Sequence, residues 1–331
     1  MIYSYIEETK KIIQNELIDN DEIFNYFETP LEANCDILYL YYKKLIENNS
    51  KRYNINLNYF FFKNDRTINA TAYIKKNSTL ISINIGTINK LKNTFLDNEI
   101  LINEIFGEPI IELNKILNEQ NTSVMEYMYY SALIFLINHE IGHLIQANCT
   151  EKELTESNRD EVEFKIENHI YEVDADIFSS MKLTQDIHQA WLRFDSKYQT
   201  DEFLSVLISL ACSAIGIFKI FNHNAEKNIY FKEKSHPHVA IRYILIQENI
   251  VNYISHIRNS QISEELKNAT MSNTFSIIES LNKYHNDSFF ENFTKICIEN
   301  SKDISEYGSF LIDQITKNEE CAYYKMKALE I

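Results

Sequence analysis

Between positions 123 and 145 the chain is mostly apolar, yet the run contains His139, Glu140 and His143. That combination constrains the fold more than any other feature of the sequence. Ser123-Val124-Met125-Glu126 reads as a capping box, in which the serine side chain takes an early backbone N–H and Glu126 reaches back. From 127 to 145 the chain has helical length and no Gly or Pro before Gly142. Leu133, Leu136 and Ile137 form an apolar stripe beside the histidines. A helix of this kind belongs in a core, where polar groups without partners are costly. Residues four apart share a helix face, so the two imidazoles can grip one ion, and an ion supplies the missing partner. Gly142 lowers helix propensity, so its place here points to close approach by another backbone or a substrate.

His139-Glu140-Ile141-Gly142-His143 has the H-E-x-x-H spacing of zinc metallopeptidases. Zinc takes neutral imidazole nitrogens at ~2.0–2.1 Å and keeps a position for water, whose pKa falls to about 7. Glu140 follows the first histidine and can reach that water. Catalytic sites take three protein ligands, and a second helical stretch, roughly 160–183, carries Glu172 and Asp176 four apart on one face. One of the pair can ligate the metal while the other accepts the remaining N–H of a ligand histidine. His169, Glu161, Glu163 and Asp174 are further candidates for the third position.

A third segment, Ser235-His236-Pro237 with Arg242 six residues after the histidine, completes an ordered series. Taken with H-E-x-x-H and the E-x-x-A-D of Glu172 to Asp176, it resembles the gluzincin family of HtpX-type and CAAX-prenyl endopeptidases. Asn69-Ala70-Thr71-Ala72 and the alternating stretch 79–86 are similar to that family's N-A-x-A segment and the strand that follows it. The ImmA-type and the Lit-type (phage-exclusion) bacterial peptidases share parts of the pattern. The resemblance covers roughly 69–243. It implies a zincin-like catalytic domain with one zinc per chain, held by His139, His143 and Glu172. It makes Glu140 the general base and puts Asp176 behind a ligand histidine. It sets His236 and Arg242 beside the developing oxyanion or within the ligand network, donors that suit a tetrahedral intermediate. On that footing, substituting Arg242 lowers turnover or disorders the site and leaves the fold intact. The implied substrate is a specific polypeptide, in a regulatory or defence-related setting. A catalytically silent binding relative and a membrane-associated quality-control peptidase are the alternatives.

Five glycines and three prolines in 331 residues imply long helices, because turn-rich all-β folds consume both. The stretches 54–63, 69–75 and 79–86 carry strand patterns, the last being the clearest, and the strand beside a zincin site is an edge that pairs with extended substrate. The expected class is therefore α+β and predominantly helical, with a small sheet. Its parts are a helical extension over 1–52, the metallopeptidase domain over 53–257, and a helical extension over 258–331. The last reads as a cover, a surface for a regulatory partner, or a homodimer element. The polar stretch 150–159 reads as a lid or loop. A net charge of −16 argues against nucleic acid as a partner. Residues 203–218 are uncharged but short of a membrane span, which favours a buried core helix over stable insertion. Five scattered cysteines without a C-x-x-C pair, and an acidic start without a leader pattern, fit a cytoplasmic protein.

Overall fold

With so few helix breakers, the chain builds a predominantly helical α+β fold around one three-stranded sheet. The computed structural model describes residues 2–53, 57–101, 106–147, 164–223, 228–259, 264–285 and 289–328. The stretch 150–159 and the candidates Glu161 and Glu163 lie outside them. In chain order come α1 (Ile2–Gln14), α2 (Glu32–Tyr53), β1 (Leu57–Lys63), β2 (Ala70–Lys75), β3 (Ser78–Asn84), α3 (Ile85–Thr94) and α4 (Glu108–Glu119). Then follow α5 (Val124–Ala147), α6 (Ile166–Trp191), α7 (Asp201–His223) and α8 (Val239–Ile257). The chain closes with α9 (Glu264–His285), α10 (Phe289–Glu299), α11 (Ser301–Lys317) and α12 (Ala322–Ala328).

The clearest strand in the sequence, β3, lies in the middle of the sheet, parallel to β1 and antiparallel to β2. A two-residue turn at Lys76 and Asn77, both with positive φ, closes the β2–β3 hairpin. β3 ends at Asn84, and Gly86, expected to end the strand, opens α3 instead. A Cβ on Gly86 would fall 2.1 Å from the Arg66 carbonyl oxygen, so the loop passes where only glycine leaves room. The outer edge of β1 is sealed by α1: the Phe60 N–H donates to Glu8 (3.0 Å) and the Phe62 N–H to the Tyr5 hydroxyl (3.1 Å). β2 forms the other edge and packs on α5.

The capping box holds: Glu126 N–H donates to Ser123 Oγ at 3.1 Å, and Ser123 N–H to the Glu126 carboxylate at 2.9 Å. From that start α5 runs between the sheet and the helices α6 and α7. α6 and α8 pack together, and α7 contacts both. α7 is the one described helix long and apolar enough to cross a membrane, and 94% of its most apolar window is buried inside the protein. The serines that interrupt it face α9. Ser205 meets the Thr270 hydroxyl at 2.8 Å, and Ser209 and Ser213 donate to the Thr270 and Thr274 carbonyls at 3.1 Å. The tail helices α9 to α12 lie against α6, α7 and α8. One hydrophobic cluster runs from Tyr5 to Met326, through all three segments of the sequence. Cys35, Cys212, Cys297 and Cys321 are free and buried.

At Gly142 α5 and α6 pass in close contact. A Cβ there would lie 3.1 Å from Ala175 Cα and 3.3 Å from Ala175 Cβ. The glycine of the first motif and the alanine of the second therefore face each other. The crossing puts His139 and His143 opposite Glu172 and Asp176. Gly142→Val adds methyl groups to a closed interface and is expected to cost ~1–3 kcal/mol. Gly142→Ala, which needs a shift of only tenths of an ångström, is expected to cost less. Urea midpoints of the two variants test this ordering, and an unchanged midpoint for Gly142→Val would show that the interface is not closed.

Candidate metal centre

Four helices, α5 to α8, contribute side chains to one buried cluster. One turn of α5 supplies His139 and His143, whose Nε2 atoms stand 3.1 Å apart with the rings nearly perpendicular. Two bonds of ~2.0–2.1 Å at a tetrahedral angle place their donors roughly 3.3 Å apart, so this separation suits a shared ion. Glu172 on α6 brings Oε2 to 3.7 Å from His139 Nε2 and Oε1 to 3.6 Å from His143 Nε2. One donor atom from each of these three buried residues falls within 4.8 Å of the others. Glu140 lies on the same turn and is also buried.

Asp176 anchors the other side of His139. Its Oδ1 stands 2.9 Å from His139 Nδ1, and a carboxylate has no proton to give, so the imidazole proton belongs on Nδ1. The lone pair on Nε2 then faces His143 and Glu172. Burial and the nearby Lys219 ammonium push the His139 pKa down to about 3, which keeps the ring neutral as a ligand must be. The residues present therefore fit a divalent cation by their spacing, and Asp176 beside Nδ1 favours the tautomer that leaves Nε2 free to ligate.

Two cations answer the two carboxylates. Arg242 on α8 places Nε 2.6 Å and Nη2 2.9 Å from the two Asp176 oxygens, a bidentate fork, and Nη1 2.7 Å from Glu172 Oε2. Lys219 on α7 reaches Asp176 Oδ1 at 2.9 Å. Burial raises both carboxyl pKa values, and Arg242 leads the opposing charges that bring them well below the ordinary range. Lys219, itself 3% exposed, is pushed down by burial and by Arg242. In the sequence it only ended an apolar run, and the available signal was that a lysine there needs a buried anion.

His236 precedes α8. The helix starts at Val239, with the His238 side chain accepting the Ala240 N–H at 3.1 Å as its cap. The six-residue step from His236 to Arg242 is thus part loop, because the residue before a proline avoids helical geometry. His236 Nε2 lies 3.6 Å from Glu172 Oε1, and its side chain is 26% exposed against 4% for His139 and 9% for His143. It marks the open side of the cluster.

The remaining described candidates for the third position are engaged elsewhere. His169 contacts the Lys234 carbonyl at 2.9 Å and the Tyr307 hydroxyl at 3.0 Å. It thereby ties the loop before His236 to α11. Asp174 accepts N–H bonds from Gln146, Ala322 and Tyr323, and burial raises its carboxyl against their pull. Gln146, three residues after His143, went unnoticed in the sequence although this spacing puts the two on one helix face. No family model, curated protein or solved structure matches the chain.

Burial revises the expected outcome of substituting Arg242, which at 2% exposure is part of the core's charge balance. Arg242→Met leaves two buried carboxylates to Lys219 alone and is expected to destabilise the fold by ~3–5 kcal/mol. Lys219→Met, which leaves the fork in place, is expected to cost less. Denaturant unfolding of both variants checks the order, and a wild-type midpoint for Arg242→Met would mean the fork is not the main counter-charge.

Proposed function

We propose that this chain is a zinc-dependent endopeptidase of gluzincin type, with one zinc held by His139, His143 and Glu172. The observation that carries the reading is the convergence of these three buried side chains, two from H-E-x-x-H and one from E-x-x-A-D. The ordered motifs and their resemblance to the HtpX-type and CAAX-prenyl endopeptidases add support. Zinc at this position supplies Lewis acidity toward a peptide carbonyl and makes water acidic near neutral pH.

The chain's own residues do the rest. Glu140 takes the proton of the attacking water and delivers it to the leaving amine. Asp176 holds His139 in the tautomer that offers Nε2. Arg242 is a positioning residue in this reading, because its contacts with Glu172 and Asp176 fix the third ligand and the partner of His139 together. His236, the most exposed imidazole of the group, stands where a substrate would enter and supplies the N–H donor for the oxyanion. The substrate class is a polypeptide. Cleavage of one specific regulatory or defence-related protein follows from the likeness to ImmA-type and Lit-type peptidases.

Metal analysis of the purified protein is expected to find one zinc per chain, lost in His139→Ala, His143→Ala and Glu172→Ala. Glu140→Gln keeps the side-chain shape without the basicity, so zinc stays while peptide hydrolysis falls by ~10²-fold or more. Comparing N-termini across a proteome exposed to wild type and to Glu140→Gln would identify the cleaved bonds. Zinc-free wild-type protein after metal loading, or full proteolysis by Glu140→Gln, would sink the assignment.

A further inference from the structure

The hydrogen bonds of Gln146 leave no freedom in its orientation. Its Nε2 donates to the Tyr171 carbonyl at 2.9 Å and to Asp174 Oδ2 at 2.6 Å. Both partners act as acceptors there. Asp174 also receives the Ala322 N–H on Oδ2 at 2.6 Å and the Tyr323 N–H on Oδ1 at 2.9 Å. Turning the amide over would set its oxygen against a carbonyl and a carboxylate. The oxygen Oε1 therefore faces His143 Nδ1, at 3.0 Å. An amide oxygen only accepts, so the imidazole must donate.

We propose that Gln146 is a positioning residue that fixes His143 as the Nδ1–H tautomer, and that Asp174 and the start of the C-terminal helix hold Gln146 in place. The inference deepens the metal reading, yet its tautomer claim stands without a metal. Asp176 does the same for His139 from the opposite side. Both Nε2 lone pairs then face each other at 3.1 Å with the Glu172 carboxylate 3.6 and 3.7 Å away, a pair of acceptors that a shared cation would satisfy.

The link to the chain end is short. Ala322 and Tyr323 open the last described helix, and Asp174 accepts from both of their N–H groups. Lys325 on that helix donates to the Ile145 carbonyl at 2.6 Å, next to Gln146 itself, and Tyr171 donates to Glu320 at 2.5 Å. The last described helix thus grips both helices that carry the cluster, around the glutamine that touches His143. The tail that the sequence offered as a cover or partner surface acts as an outer support of the site.

The test compares the full-length wild type with Gln146→Leu, Gln146→Glu and Asp174→Asn. Nitrogen-15 histidine NMR of the metal-free proteins at mildly alkaline pH reads the tautomer, and chelator competition reads zinc affinity. Wild type is expected to show His143 protonated at Nδ1. Gln146→Leu fills the same space without an acceptor, so the tautomers mix and zinc affinity falls ~10–100-fold. Gln146→Glu still accepts from Nδ1 and keeps the wild-type tautomer, while its charge beside Asp174 lowers thermal stability. Asp174→Asn, which sets a new N–H₂ among three N–H donors, is expected to mix the tautomers partway. A space-filling role predicts the reverse order, with Gln146→Leu close to wild type and Gln146→Glu the damaged protein. That order, or an Nε2–H form of His143 in wild type, overturns the proposal. An Asp174→Asn protein with wild-type histidine signals overturns the link to the chain end. A wild type that takes no zinc but keeps the Nδ1–H form, lost in Gln146→Leu, sinks the metal reading and supports the positioning role.

Discussion

The contact of Asp176 with Arg242, Lys219 and His139 is the interaction on which the rest of the site depends. Four helices supply its members: α6 the carboxylate, α8 the guanidinium, α7 the ammonium and α5 the imidazole. All four side chains are buried, so none can fall back on water, and each one removed leaves an uncompensated charge or donor behind. With Glu172 included, two carboxylates face two cations and the formal charge closes to zero. That neutrality limits the cost of burying these four charges together.

The same balance gives the cluster its chemical character. Arg242 keeps both carboxyls ionised, with Lys219 adding to its pull on Asp176, and an ionised carboxylate is the form that can take a metal or an imidazole N–H. Burial keeps His139 neutral. Small residues let this happen at short range, since Gly142 and Ala175 bring the two motif helices almost into backbone contact. A polar network of this kind tolerates little misplacement because its members share partners. Moving α8 shifts Glu172 and Asp176 together, and loosening α12 reaches His143 through Asp174 and Gln146.

Much of this was legible in the sequence because helical periodicity is local. The capping box at Ser123 and Glu126, the i,i+4 pairs His139/His143 and Glu172/Asp176, and the apolar stripes all follow from the 3.6-residue repeat. Scarce Gly and Pro set the helical class. The β2–β3 hairpin was harder, because its turn uses Lys76-Asn77 in place of the usual glycine-containing pairs. The order of the strands was not legible at all: alternation marks β3 as a strand, and nothing local says that β1 and β2 flank it.

The sequence by itself determined which side chains can act together on one helix face, and hence the motif pairs and the predominantly helical class. Only the tertiary structure decided which faces meet. It put Ala175 against Gly142 and spent Arg242 on two carboxylates. It buried Lys219 beside Asp176, set His169 on a loop carbonyl, and brought Ala322 and Tyr323 to Asp174, 148 and 149 residues away in the chain. The physical reason is that a buried charge takes whatever counter-charge packing brings within hydrogen-bond reach, and packing is a property of the whole core, which no local spacing encodes.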